Sequence, residues 1–216
     1  MPKCGLFLQR TSTKTIKFFF SRATSDKERH KTSTTWNNHE NIKIPFQDTF
    51  SDVKIEKVFG NQATKQGQPG SYVSYFQKKI MRALLKEESH DNPFLQHIFL
   101  GYYKSEKAFP YMTLKTSPTI QFFEGNICDV PNLQDFEMIS LSNLFDWSDE
   151  SFVRQCVKGF SNIRSGSSVL LRQLNNHKDW SPFFGEGFTE DKAFDKHWQK
   201  KDRSFFYDHF RLFVKT

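Results

Sequence analysis

Two stretches decide the fold class: Phe136-Glu137-Met138-Ile139-Ser140-Leu141-Ser142-Asn143, and Ser168-Val169-Leu170-Leu171-Arg172-Gln173-Leu174-Asn175-Asn176. Each is a short apolar run that turns polar where it stops. Phe136 to Leu141 reads as a strand, and so does Ser168 to Arg172, which is nearly all apolar, as a buried parallel strand should be. Between them, Asp149 or Ser148 caps a helix whose apolar face is Phe152, Val153, Cys156, Val157 and Phe160. Arg164-Ser165-Gly166 is the turn back. Strand, helix, strand argues an α/β sheet, because parallel neighbours need a crossover connection.

Working outward, Thr119 to Phe123 reads as an earlier strand ending at Glu124-Gly125-Asn126. Phe205 to Lys215 reads as a late, antiparallel strand. Ligands of open α/β sheets sit beyond the carboxyl ends of the strands. Gly125-Asn126-Ile127, Ser142-Asn143 and Arg172 to Asn176 are therefore expected on one rim. Upstream, Asn61 to Gly70 is a loop by its Gly, Gln and Pro content. From Ser71, Tyr72, Phe76, Ile80 and Leu84 recur at helical spacing, with Lys78, Lys79 and Lys86 off that face. Asn92-Pro93 opens a shorter helix, with Phe94, Leu95, Ile98 and Phe99 as its buried side and Gly101 as its stop. His97 reads as a packing residue on the apolar side of that helix.

The 216 residues suffice for one ordinary domain with a core. Net charge is +7, but the first forty residues hold eight Lys/Arg against three acids, so the remainder is nearly balanced. Residues 1–44 show no sustained apolar period and read as a basic tail, with residues 45–216 as the folded domain. A balanced core argues against nucleic acid as the partner. The first 23 residues carry no acid and are rich in Arg, Lys, Ser and Thr, which makes a mitochondrial targeting segment the minor alternative to a cytoplasmic chain. No apolar run approaches the roughly 20 residues needed to span a bilayer. Cys4, Cys128 and Cys156 form no CxxC pattern and read as free thiols of a reducing compartment, with no metal site expected. His90, His177, His197 and His209 show no triad or metal pattern.

Glu124-Gly125-Asn126-Ile127 followed by Phe136 to Leu141 resembles the third and fourth strands of class I methyltransferase-like folds. Asn126 and Glu137 stand where Asp is usual in them. Three further blocks occur in order: Ser142-Asn143 with Asp146-Trp147, then Arg172-Gln173-Leu174-Asn175-Asn176, then Asp202-Arg203-Ser204 with Tyr207. They resemble signatures of the BtaA-like family of betaine-lipid synthases and its uncharacterised relatives. Asn92-Pro93-Phe94-Leu95, Gly101-Tyr102-Tyr103 and Pro110-Tyr111 resemble a subgroup of it. The resemblance covers roughly residues 46–215.

The resemblance implies a transferase that moves the 3-amino-3-carboxypropyl group of S-adenosylmethionine onto the hydroxyl of diacylglycerol, or onto another small-molecule acceptor, with peripheral membrane contact. It implies catalytic roles for Asp146, Arg203 and Tyr207. It places cofactor contacts at Asn126, Ile127, Ser142 and Asn143, and substrate contacts at Arg172, Asn175, Asp202 and Ser204. Asp146 is either the base or the holder of the ammonium, and Arg172 or Arg203 forks onto the carboxylate. Bland readings stand beside these. Asp146 before Trp147 also suits a helix cap, Asn175-Asn176 a turn, and Asp202-Arg203-Ser204 an ion pair within a turn. Tyr207 is either core or acceptor-facing.

One part of the family pattern is not found. A cofactor fold of this kind opens with a strand, a Gly-rich turn, a helix and a second strand ending in an acid. Only Gly5 precedes Gly60, so no such unit can be drawn before residue 60. The expected fold class is therefore an incomplete class I methyltransferase-like, Rossmann-type sheet lacking that first unit. The expected state is a fragment, a chain completed by a partner, or a remnant that binds lipid or protein without catalysis. Binding of S-adenosylmethionine by the chain itself is expected to be weak or absent.

Overall fold

The computed structural model describes residues 25, 27–28, 31–32, 40–65, 67–104 and 109–216. Most of the expected basic tail lies outside them. Seven α-helices are described: α1 Glu40–Phe50, α2 Asp52–Phe59, α3 Ser71–Leu84, α4 Pro93–Leu100, α5 Glu150–Phe160, α6 Ser181–Phe184 and α7 Lys192–Lys201. Four strands accompany them: β1 Met138–Ser140, β2 Ser168–Gln173, β3 Phe188–Glu190 and β4 His209–Lys215. Among the described residues, no helix is long and apolar enough to cross a membrane. The chain gathers into two compact units.

The first unit comprises Met1–Lys54, Gly70–Pro118 and Arg203–Phe206 and is helical where described. α3 forms where the apolar period predicts it and buries Tyr72, Ile80, Met81, Ala83 and Leu84. In α4 the Asn92 carboxamide oxygen accepts from the Phe94 and Leu95 N–H groups at 2.9 and 3.2 Å, satisfying two donors that the helix cannot satisfy itself. Gly101 ends it in the left-handed conformation, φ 75°, with its N–H on the His97 carbonyl. The core joins Phe46, Ile80, Met81, Ala83, Leu84, Leu95 and Phe99 with Phe205. His97 is a correction to the expectation: it is exposed and stacks on Tyr103. Gln96 is buried instead, donating to the His90 carbonyl and accepting from the Lys104 N–H.

The second unit comprises Ile55–Pro69, Thr119–Asp202 and Tyr207–Thr216 and holds a four-stranded sheet in the order β1-β2-β4-β3. β1 and β2 are parallel, with Ile139 beside Val169. α5 is their crossover, and the Asp149 carboxylate caps it by accepting the Phe152 N–H at 2.9 Å. β4 lies antiparallel to β2, with Gln173 beside His209, and β3 lies antiparallel to β4. The chain is thus mixed α/β with a mixed sheet. α5 buries Val153, Cys156, Val157 and Phe160 against Ile139, Val169, Leu171, Trp180, Phe184 and Phe213. Each such fully buried side chain contributes on the order of 1.5–3 kcal/mol of transfer free energy.

Two strand expectations are corrected here. Thr119 to Phe123 is not a strand but an irregular, exposed segment. β2 is not apolar on both faces. It alternates, burying Val169, Leu171 and Gln173 while Ser168, Leu170 and Arg172 stay half-exposed. That alternation fits a strand flanked on one side by an antiparallel partner and covered fully on one face only.

Candidate functional site

The parallel ladder of β1 and β2 continues past the last strand residue of β1. The Leu141 N–H donates to the Leu170 carbonyl at 2.9 Å, and the Arg172 N–H to the Ser142 carbonyl at 2.7 Å. Ser142 then turns the chain with φ 52°, a left-handed conformation that L-residues adopt at a cost. This geometry brings Ser142 and Arg172 together at the carboxyl ends of neighbouring parallel strands. Arg172 Nη2 donates to Ser142 Oγ at 3.1 Å, and Ser142 Oγ to Asn143 Oδ1 at 3.3 Å. The guanidinium carbon stands 4.8 Å from the centre of the Tyr207 ring, within cation–π range. Arg172 Nε is buried and has no hydrogen-bond partner.

Asp146 lies in the short 3₁₀ turn Leu144–Trp147 and is 1% exposed. Its Oδ2 accepts the Leu174 N–H and its Oδ1 accepts Asn176 Nδ2, both at 2.9 Å. Asn176 Oδ1 in turn accepts the Lys178 N–H. Asn175 between them has φ 50°, and its N–H points at Asp208 Oδ2 at 3.3 Å. Asp146 thus ties the turn after β1 to the turn after β2. Burial pushes its carboxyl up to about 7, against the two hydrogen bonds that favour the anion, and the Asp208 charge adds to the rise.

A third group stands at the same end of β2 and β4. Asp195 on α7 accepts the Phe210 N–H through Oδ1 at 2.8 Å. Its Oδ2 lies 3.1 Å from His209 Nδ1, and His209 Nε2 lies 3.5 Å from Nδ1 of the exposed His177. His177 and His209, which show no triad or metal pattern in the sequence, thus form an Asp–His–His array with Asp195, which contains no Ser, Thr or Cys nucleophile. A carboxylate on one ring nitrogen fixes how that imidazole presents the other. Among the described residues, no three or more His, Cys, Asp or Glu gather as a metal-binding group.

The remaining candidates fall elsewhere. No strand ends at Asn126. It is exposed and extended, and it precedes the 3₁₀ turn Ile127–Asp129, where Ile127 packs on the sheet core. The expected common rim thus keeps Ser142-Asn143 and Arg172 to Asn176, with Asp146 bonded between their turns, and loses Asn126 as a strand end. Asp202 closes α7, its N–H on the Trp198 carbonyl at 2.8 Å. Arg203 and Ser204 belong to the helical unit. There the Arg203 carbonyl accepts Asn92 Nδ2 at 2.8 Å, the Arg203 side chain is exposed with its guanidinium 5.9 Å from the Phe109 ring centre, and Ser204 is buried. No protein-family model, no curated protein and no solved structure matches the chain.

Proposed function

We propose that the sheet unit carries the acceptor-facing rim of an S-adenosylmethionine-type transferase related to the BtaA-like family, and that the rim holds the amino-acid head of a lipid-like molecule. One observation carries this reading. Arg172 stands at the carboxyl end of β2, steadied by Ser142 Oγ and the Tyr207 ring, with its Nε donor unmatched. A guanidinium so fixed suits a carboxylate, since a fork gains most when it is already oriented. The sheet order lends support. A parallel pair joined to a final strand that runs antiparallel inside the sheet resembles the closing end of class I methyltransferase-like sheets. In this reading Asp146 is a positioning residue, because both its oxygens are taken by the turn that follows β2.

The residues present do not fit the adenosyl half of the cofactor. Among the described residues, the turns after the strands are Ser142-Asn143, Leu174 to Asn176, and Asp191, whose carboxylate caps α7 by accepting the Ala193 and Phe194 N–H groups. None of them is a Gly-rich turn. Gly185-Glu186-Gly187 precedes β3 instead of following a strand.

The experiment is co-sedimentation with phosphatidylcholine vesicles that are plain, doped with diacylglycerol, or doped with diacylglycerol carrying the aminocarboxypropyl ether. Binding is expected to be strongest to the ether and to weaken about tenfold in Arg172→Lys, which keeps the charge and loses the fork. Equal binding to all three vesicles, or an unchanged Arg172→Lys variant, would overturn the reading. The second reading, a non-catalytic module that docks on lipid or protein, is favoured by Ile120, Phe122 and Phe123, all exposed, Phe122 at 94%. It predicts headgroup-independent binding that Phe122→Asp abolishes.

A further inference from the structure

We propose that Cys128 and Cys156 are a dithiol pair that a small disulfide oxidant such as glutathione disulfide converts to an intrachain disulfide, fastening the turn Ile127–Asp129 to α5. The two sulfurs lie 3.0 Å apart, on residues 28 positions apart in sequence. A disulfide needs about 2.05 Å, so closure asks for about 1 Å of movement. The turn lies against the same helix face one turn further on, where a β-carbon on Gly159 would stand in ordinary contact with the Cys128 β-carbon at 4.0 Å. Ile127 and Cys128 both pack on the sheet core beside α5. The stretch Thr119–Asn126 leading into this turn is irregular and exposed, so a covalent tie would fix a segment with few contacts of its own.

The two thiols have distinct parts. Cys156 is fully buried, and its burial and the neighbouring Cys128 push its thiol above the usual range, so it stays protonated and does not attack first. Cys128 is half-exposed. Its thiolate attacks one sulfur of glutathione disulfide, that S–S bond breaks, and one glutathione thiolate leaves. Cys156 then gives up its proton to solvent and attacks the Cys128 sulfur, releasing the second glutathione. Two protein thiols are oxidised and one glutathione disulfide is reduced to two glutathiones.

The test uses the full chain carrying Cys4→Ser, so that only this pair can react. It is equilibrated across a series of reduced-to-oxidised glutathione ratios, alkylated, and mapped by mass spectrometry without reduction. Both thiols are expected to disappear together, with a cross-linked peptide joining residues 128 and 156 and a rise in Tm of about 10 °C for a loop of this size. The Cys156→Ala variant should instead stop at a glutathione adduct on Cys128. If burial makes that variant unfold, Cys128→Ala should leave Cys156 unmodified under the same conditions. Separate glutathione adducts on both cysteines, or no cross-link at an oxidant ratio that oxidises a reference dithiol, would overturn the pairing.

Discussion

Replacing Asp146 by Asn separates the charge of this buried group from its hydrogen bonds. The folded carboxyl is raised to about 7 from 3.8, chiefly by burial. A carboxyl with its folded pKa above the unfolded value binds its proton more tightly when folded. Its contribution to stability is therefore fully present below the unfolded pKa and is lost as pH rises toward 7. Between pH 5 and 8 that loss runs over about two units, or on the order of 3 kcal/mol. Asn cannot titrate. It keeps an acceptor for the Leu174 N–H but turns an amide toward Asn176 Nδ2, at a cost of about 1–3 kcal/mol for the unmade bond. The variant should thus be less stable than wild type at pH 5 and should equal or exceed it at pH 8. Urea unfolding at pH 5, 6, 7 and 8 measures the difference, in which all other titrations cancel. A difference that stays flat across this range would refute the reasoning. Asp146 would then titrate alike in both states, and its anion would be what the two donors hold.

Asn92→Ala removes the α4 cap and the bond to the Arg203 carbonyl, and should cost the helical unit about 1–2 kcal/mol, read from thermal melts by circular dichroism. Asp195→Ala leaves the Phe210 N–H without its acceptor and His209 without its carboxylate. It should destabilise by about 1–3 kcal/mol in urea, whereas an unchanged urea midpoint would mean that the Asp195 contacts are not formed in solution.

What the sequence discloses is what local chemistry determines. α3 is legible from its apolar period alone, and α4 and α5 because each couples an apolar period to a start or stop residue: Asn92, Gly101 and Asp149 act where their side chains or backbone freedom are needed. The meeting of Ser142 and Arg172 is legible because both apolar runs turn polar at the same end of a parallel pair. Helix phase sets His97 on the outer face. Leu95 and Phe99, four residues apart, share the buried face, and a residue two positions from each points away. Ile120, Phe122 and Phe123 have the composition of a strand, but a strand also needs a neighbour to pair with, and no register pairs them. The Asp195–His209–His177 array leaves no mark in the sequence, since it exists only once β4 is registered with His209 beside Gln173. β3, three residues long, offers no pattern to read.

The proposal that the rim holds an amino-acid head, while the described residues form no adenosyl cradle, is tested most directly by calorimetric titration of S-adenosylmethionine and S-adenosylhomocysteine into the full chain. With Ser142-Asn143 and Leu174 to Asn176 as the turns after the parallel strands, the predicted dissociation constant is weaker than about 100 μM, or about −5.5 kcal/mol. A saturable isotherm in the low micromolar range for either compound would contradict it.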